Sequence, residues 1–327
     1  MKFLQSPDTF TVEELPLYPP SGSGEHLYVT FRRRGISTPH VLSQLQRALG
    51  LKEAEIGCAG NKDRDATAVQ TFSLPIRTKD RLEDAFGALG AEVLSAVPHP
   101  HKLRTGKLAG NRFAVALELD SPEEADALRA GCSRLEAEGL PNAFGPQRFG
   151  DSDAVETGLR LFLGTRLPGA YRRARFAVSA FQAALFNHVL SERRRRGLYP
   201  QPLAGDLMKR HDSGGEFVAA EADDNTEWRV RVLEISPTGP MVGRKMPWPS
   251  GEALDLELEA LETFGLNRAS VAAARAPGAR RFLRVPAGSV EVQAQGLAAT
   301  LRFRLPPGSY ATVLLSELGV ELVRSEE

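Results

Sequence analysis

The sequence predicts an α+β fold, with mixed α and β structure at both ends of the chain and a mostly α-helical insertion between them. Strand-like patterns occur early, in FTVEE, HLYVTFRR and NRFAVALEL, and return near residue 280 in RFLRVP, SVEVQAQG and TLRFRLP. A long amphipathic pattern, VSAFQAALFNHVLSERRRRG, and an acidic helical pattern at 252–274 lie between these strand-rich parts. This order predicts one α/β domain that is interrupted by a helical one.

The first part of the chain is predicted to contain strands and helices in mixed order. Strands at 10–14 and 26–33 are separated by the turn-rich PLYPPSGSG, and a helix is expected from Thr38, as its cap, to near Gly50. QTFSLPI predicts a strand, 79–88 a helix, and NRFAVALEL a strand. The helix in SPEEADALRAGCSRLEAEG begins with Ser121 and Glu124, a spacing typical of a capping box.

The domain boundaries are expected where this pattern changes. PNAFGPQRFGD at 141–151 combines proline, glycine and phenylalanine, and 201–250 is irregular and rich in proline and glycine. We therefore expect a catalytic domain formed by 1–152 and 277–327, with 153–276 as the insertion domain.

Length and composition indicate a globular protein of about two domains. The chain has 327 residues, of which 42% are hydrophobic, so it can bury a sizeable core. It contains neither a run of about 18 apolar residues nor an N-terminal apolar segment typical of a signal peptide. Cys58 and Cys132 are too few for a disulfide scaffold and lack metal-ligand spacing. We expect a soluble, cytoplasmic protein without a membrane partner or a metal, and a monomer by default.

The charged residues are segregated, although 41 basic and 41 acidic residues cancel. Residues 165–210 hold ten Arg and Lys against two acids, and 99–112 hold four against none. By contrast, 252–262 carry five acids and no base. Because phosphate binding depends on the local field, a net charge of zero does not exclude a nucleic-acid partner.

Several chemistries are disfavoured by the absence of their motifs. His99 and His101 have no cysteine or acid nearby for a zinc site, and neither G-x-S-x-G nor G-x-x-x-x-G-K-[ST] occurs. A carboxylate enzyme or an RNA-binding protein remains. Arginines alternate with aromatic residues at 144–149 and 171–176, as in surfaces that stack unpaired bases. The arginine run 193–196 is compatible either with an RNA-binding surface or with the solvated end of a helix.

One stretch, AGNKDRDATAVQ at 59–70, carries two aspartates and resembles the AG-x-KD-x-x-A-x-T-x-Q signature of the TruD family of tRNA pseudouridine synthases. Seven further blocks resemble that family in the same order: 10–14, 22–26, 102–113, 141–150, 184–193, 237–240 and 305–312. Eight ordered blocks over nearly the whole chain make a chance match improbable.

The resemblance implies roles for individual residues. Asp63 lies where the family has its catalytic aspartate, whereas Asp65 falls at a variable position. Positions expected to contact or flank the target uridine are occupied by Phe10, Lys62, Asn111, Phe113, Arg148 and Tyr310. Arg148 could instead tie the two domains together.

The resemblance also implies a fold and a reaction: a pseudouridine-synthase-like domain with a mixed antiparallel sheet, which isomerises a uridine of tRNA, favouring position 13, without a cofactor. The aspartate could act as nucleophile or as base. A cation beside it would keep it ionised. Because Leu4 replaces a family lysine, Lys62, Lys2 and Arg33 all stay candidates for that cation.

Two other functions are compatible with the residues. Leu4, Ala68 and Ser316 depart from the family pattern, which would fit a tRNA-binding protein that keeps the fold without the chemistry. A carboxylate hydrolase acting on a small substrate would account for the aspartates, but it leaves the basic stretches unexplained.

Overall fold

The computed structural model describes residues 1–150, 153–166 and 171–323, and these form two compact units. The first unit comprises 1–133, 287–311 and the described residues from 315 onward, and the second comprises 134–286 with 312–314. The described chain contains sixteen strands: β1 (Lys2–Leu4), β2 (Phe10–Pro16), β3 (His26–Arg34), β4 (Gly57–Cys58), β5 (Thr67–Pro75), β6 (Glu92–His99), β7 (Leu108–Glu118), β8 (Leu140–Pro141), β9 (Leu207–Arg210), β10 (Glu216–Val218), β11 (Ile235–Met241), β12 (Ala279–Phe282), β13 (Arg284–Val285), β14 (Gly288–Gln295), β15 (Ala298–Leu305) and β16 (Glu321–Val323). It contains nine helices: α1 (Thr38–Leu49), α2 (Leu82–Gly87), α3 (Glu124–Glu138), α4 (Ala154–Phe162), α5 (Tyr171–Arg195), α6 (Asp224–Arg231), α7 (Gly251–Thr263), α8 (Arg268–Ala273) and α9 (Ala311–Glu317).

A ten-stranded sheet forms the first unit, and this confirms the predicted α+β class. Its strands run in the order β14-β15-β7-β2-β5-β3-β6, with β1, β16 and β4 pairing outside this path. The β2–β5 and β1–β16 pairs are parallel, whereas the other pairs are antiparallel. The sheet is therefore mixed but mainly antiparallel.

One face of this sheet carries a continuous row of buried side chains. Strand register places Arg33, Ala68, Val12, Phe113 and Phe303 side by side across five strands. Neighbouring strands in register point their paired side chains to the same face. The Arg33 side chain thus lies on the same face of the sheet as the rings of Phe113 and Phe303.

Helices α1 and α2 cover the β3 side of the sheet. Val41 and Leu45 of α1 and Phe86 of α2 pack with Phe31 and Phe72 in one apolar core. Their spacing in α1 follows the helical period, which explains why the sequence pattern predicts this helix correctly. The cap differs from the prediction, because Ser37 caps α1 by accepting the His40 amide, and Thr38 is the first helical residue.

The start of α3 also differs in detail from the predicted capping box. The Glu124 carboxylate accepts the backbone N–H of Asp120 at 2.8 Å and the N-terminal ammonium of Met1 at 3.1 Å. The Met1 ammonium is a charged donor to Glu124 that lies far away in sequence. A motif that spans four residues cannot predict such a contact.

The second unit is built around α5, which has 25 residues. Phe181, Leu185 and Val189 of α5 pack with Phe162 of α4 and Leu261 of α7. A four-stranded sheet, β10-β9-β11-β12, completes the unit. This sheet lies largely in the segment 201–250, for which the sequence pattern predicts irregular structure.

The two compact units do not follow the expected domain bounds in sequence, and the assignment of the catalytic and insertion domains stays a prediction. Strand β8 pairs with β13, and Asn142 donates through Nδ2 to the carbonyl of Phe282 at 3.0 Å. These contacts place 134–152, in its described part, and 277–286 in the second unit. Residues 151–152 and 324–327 of the expected catalytic domain, and 167–170 of the insertion, lie outside the described residues. No helix among the described residues is long and apolar enough to cross a bilayer.

Candidate active site

Asp63 lies in the loop between β4 and β5, and two buried polar side chains hold the backbone of this loop. Gln70 donates through Nε2 to the carbonyl of Gly60 at 2.6 Å, and the Lys62 N–H donates to the Thr38 hydroxyl at 2.9 Å. The Thr38 hydroxyl donates in turn to Gln70 Oε1 at 3.2 Å. Thr38 and Gln70 are fully buried. The loop is therefore fixed from beneath by a connected hydrogen-bond network.

Arg33, near the end of β3, completes this network. Its guanidinium donates to the carbonyl oxygens of Lys62 at 3.0 Å and Asp63 at 3.3 Å, and to the Thr38 hydroxyl at 3.1 Å. Arg33 is 1% exposed, and burial lowers its pKa to about 10, an effect that the Asp63 charge opposes. The arginine is therefore cationic at neutral pH and lies directly under the loop.

The Asp63 carboxyl is subject to opposing influences. Desolvation by the surrounding protein atoms raises its pKa, and Asp65 adds to this, whereas the charges of Arg33 and Lys62 lower it. By surface area the residue is exposed, so the desolvation reflects protein atoms packed around it rather than enclosure. Asp63 thus combines access to solvent with a cationic support, as a reacting carboxylate requires.

Asp65 differs from Asp63 in its surroundings. It is exposed, and its nearest cation is its neighbour Arg64, at 3.2 Å. Exposed pairs of this kind contribute little. The two aspartates, equivalent in sequence, are therefore placed in different environments.

The ammonium of Lys62 is hydrogen-bonded to a carboxylate other than that of Asp63. It pairs with Glu14 at 2.8 Å, and the two side chains are only 5% and 4% exposed. Lys2 pairs at 3.7 Å with Asp120 on the surface. Of the three cations considered for the aspartate, Arg33 is the one that hydrogen-bonds to its loop.

Asn111 follows Gly110 on β7 and lies opposite Glu14 of β2 in the strand register. Its side-chain oxygen Oδ1 is buried without a hydrogen-bond partner among the described residues. A buried acceptor without a donor is costly, and functional sites often account for such groups. Gly110 is required here, because a Cβ would lie 2.5 Å from the carbonyl of Leu305.

Phe10 and Phe113 belong to a stack of aromatic rings. Phe113 lies between Phe10, at 6.1 Å between centroids, and Phe303, at 5.1 Å. Phe10 is 3% and Phe113 6% exposed. The structure therefore shows these rings as packed core, and their contact with a substrate stays a prediction.

The two remaining predicted site residues belong to different units. Tyr310 is half-buried in the turn between β15 and α9 of the first unit. Arg148 belongs to the second unit, where it donates to the hydroxyl of Ser179 on α5 and packs 5.4 Å from the Phe144 ring.

The arginine run 193–196 is divided between the interior and the surface, with Arg193 buried and the other three exposed. Arg193 is 3% exposed and makes two hydrogen bonds to the Asp206 carboxylate, at 2.8 and 2.5 Å. Arg195 pairs with Glu192, and Arg196 with Glu259. Arg193 is thus buried in an ion pair, so neither of the two interpretations of the run applies to it, whereas an RNA contact of Arg194, Arg195 or Arg196 stays a prediction.

Sequence reasoning missed three residues that support the loop, namely Glu14, Thr38 and Gln70. Glu14 and Gln70 end two of the family-like blocks, so a signal was present. Thr38 carried a different signal, that of a helix cap, which concealed its contact with a distant loop. Within the described residues, no three His, Cys, Asp or Glu side chains converge as metal ligands would.

Comparison with known proteins gives a consistent family match. A family model described as "tRNA pseudouridine synthase D (TruD)" matches residues 1–162 and 171–318. A protein of Anaeromyxobacter sp. (strain Fw109-5) named tRNA pseudouridine synthase D is 41% identical over 99% of this chain and 94% of its own. One of Thermus thermophilus, with the same name, is 41% identical over 95% of this chain and 86% of its own. A crystal structure of the putative tRNA pseudouridine synthase D from Methanosarcina mazei has the same fold, with a TM-score of 0.70 at 22% identity, over 98% of this chain and 94% of that one.

Proposed function

The chain belongs to the TruD family of tRNA pseudouridine synthases, and we propose that it isomerises a uridine of tRNA to pseudouridine with Asp63 as the catalytic carboxylate. The observation that carries the assignment of Asp63 is its loop, which is held by Arg33, Thr38 and Gln70 while the carboxylate stays accessible. Such a support is expected where a reacting group must keep one position.

The reaction is an isomerisation, so its atoms balance without a co-substrate. The bond from C1′ to N1 breaks, the uracil turns, and C1′ bonds to C5; C5 then loses a proton and N1 carries one. Asp63 acts at the sugar, as a nucleophile on C1′ or as a base that starts the cleavage. Arg33 favours the ionised form that either role needs.

The remaining site residues bind and position the base in this proposal. The Asn111 acceptor takes a hydrogen bond from the uracil N3–H or from a ribose hydroxyl. Tyr310 stacks on the flipped base, and Phe10 and Phe113 form the apolar floor beneath it. Lys62 contributes through the loop backbone, because its ammonium is paired with Glu14. Arg148 contributes an RNA contact from the second unit.

The test uses purified protein, unmodified tRNA transcript and no added cofactor, and measures pseudouridine formation. We expect Asp63→Asn to lose at least about a thousandfold in turnover while it still binds tRNA. Asp65→Asn is the matched control and should retain wild-type turnover. Equal product from Asp63→Asn and wild type would remove Asp63 from the mechanism.

The same assay separates the isomerase from a non-catalytic tRNA-binding protein, which would bind the transcript without forming product.

We further propose that the target is position 13, that the enzyme acts as a monomer, and that it works in the cytoplasm where tRNA is processed. Sequencing of the modified position and light scattering of the purified protein test the first two points.

A further inference from the structure

The second unit contains a cavity of about 990 Å³, and Asp63 is not among the residues that line it. It is bounded by α4, α5 and the segment 275–279. That segment is held in place by two backbone hydrogen bonds, from Arg244 N–H to the Ala276 carbonyl at 3.0 Å and from Lys245 N–H to the Pro277 carbonyl at 2.7 Å. The size lies at the upper end of the range for small-ligand pockets.

The charge of the cavity wall has one sign. Four arginines line it, namely Arg148, Arg166, Arg175 and Arg275, and none of the described lining residues is acidic. Arg166, Arg175 and Arg275 are exposed, so their guanidinium groups can meet a ligand from solvent. Guanidinium groups bind phosphate oxygens through paired N–H donors.

Arg148 adds a donor that is held in place. One terminal nitrogen donates to the Ser179 hydroxyl, and the guanidinium packs on the Phe144 ring. Its Nε–H is buried and has no acceptor among the described residues. A buried donor without an acceptor costs free energy that a ligand oxygen would recover.

The cavity also has surfaces suited to a base. Apolar side chains contribute to its wall, among them Leu161, Phe162 and Val178. Tyr171, a residue that is 74% exposed, also lines the cavity, and the Arg175 guanidinium carbon lies 5.7 Å from the centroid of its ring. An exposed aromatic ring with an arginine beside it is a stacking platform for unpaired bases.

We propose that this cavity binds an unpaired nucleotide of the tRNA, with Arg166 and Arg175 on its phosphates and Tyr171 on its base. The identity of the RNA as tRNA rests on the proposed function. An acidic peptide would use the arginines but not the apolar wall beside an exposed tyrosine, so the combined lining favours a nucleotide. The site is in the second unit, whereas Asp63 is in the first, and binding to it is separate from the chemical step.

The experiment compares tRNA affinity over a range of salt concentrations for full-length variants. Arg166→Gln/Arg175→Gln should weaken binding at least about tenfold and reduce the slope of log K against log salt by roughly 1.4, because two single-strand phosphate contacts are lost. The matched control, Arg47→Gln/Arg231→Gln, removes two exposed charges outside the cavity and should change affinity less than about twofold. All the substituted side chains are exposed, so unchanged circular dichroism is expected.

A second pair of variants tests the base. Tyr171→Ala should weaken binding by about fivefold or more, whereas Tyr171→Phe, which keeps the ring, should bind as wild type does. Wild-type affinity and salt slope in both Arg166→Gln/Arg175→Gln and Tyr171→Ala would overturn the proposal, even if pseudouridine still forms. If these variants lose binding but the wild type forms no pseudouridine, the cavity would still be supported as a nucleotide-binding site. The proposed isomerase function would then be rejected.

Discussion

Arg33 illustrates why an arginine, rather than a lysine, suits the position under the Asp63 loop. Its planar guanidinium reaches two backbone carbonyls and one hydroxyl at once, and a lysine ammonium cannot match that fixed fork. In the same sheet row its neighbour is the fully buried Ala68. The two residues are paired in register on neighbouring strands, so their side chains lie on the same face of the sheet.

The charge of Arg33 and its hydrogen bonds can be separated by substitution. The cation lowers the pKa of Asp63, so Arg33→Gln raises that pKa, and activity that needs the carboxylate is lost at a higher pH. The acidic limb of kcat/KM should therefore move to higher pH in Arg33→Gln and stay near the wild-type position in Arg33→Lys. Both variants should lose roughly 10- to 100-fold in kcat because the loop is less well held. Coincident acidic limbs for Arg33→Gln and wild type would contradict this role.

At the level of elements, the start of α1 serves two separate purposes. The Ser37 side chain caps the helix, whereas the Thr38 hydroxyl is turned to the Asp63 loop and accepts from Lys62 and Arg33. Adjacent residues of similar chemistry thus support different elements. A sequence pattern cannot separate them, because the loop lies 24 residues further along the chain.

This division of roles predicts that two small substitutions both lower stability but differ in their effect on kcat. Thr38→Val removes the acceptor of two buried donors, so it should lower the free energy of unfolding by about 1–3 kcal/mol and kcat by roughly tenfold or more. Ser37→Ala should cost about 1 kcal/mol of stability and leave kcat unchanged. Denaturant unfolding and single-turnover pseudouridine formation measure the two quantities. Wild-type kcat in Thr38→Val would show that the loop does not depend on this hydroxyl.

The strands and helices with clear periodicity could be predicted from sequence, and those of 201–250 could not. Strand β3 has Leu27, Val29 and Phe31 at alternate positions, a period of two that is typical of a strand. Strand β11 is ISPTGPM, in which Pro237 and Pro240 lack the N–H that a strand normally donates. It pairs with β9 and β12 nonetheless, because tertiary burial overrides local preference. The motif singles out Asp63, whose catalytic role stays a prediction. The hydrogen bonds that hold its loop could be identified only from the fold, because they come from residues distant in sequence.

At the scale of the whole molecule, some charged side chains that the sequence suggests are free to bind a ligand are instead paired with other side chains in the interior. Arg193 pairs with Asp206, and Arg280 makes two hydrogen bonds to Glu257, with all four residues buried. Counting charges along a segment overestimates the field that a ligand meets, since it ignores such pairs. The arginines around the cavity have no acid among the described lining residues, so they are better candidates for an RNA contact than the run at 193–196.

The stability of the second unit should depend on pH through His211. This imidazole is stacked on Phe282 at 4.3 Å and lies 2.9 Å from the Ser236 hydroxyl, and burial, with the Arg284 charge, lowers its pKa from 6.5 to about 4. The unfolded chain therefore binds a proton at higher pH than the folded one. Stability is fully present above about pH 6.5 and is lost as pH falls towards 4.

His211→Gln is neutral throughout and can still bond to Ser236, so it should flatten this dependence. After discounting for partial exposure, we expect the wild type to lose roughly 1–3 kcal/mol more than His211→Gln between pH 6.5 and 4, measured by urea unfolding. His40→Gln, which removes an exposed imidazole, is the control and should follow the wild type. Parallel curves for His211→Gln and wild type would mean that His211 is protonated equally in both states, because the difference between the curves arises from its proton alone.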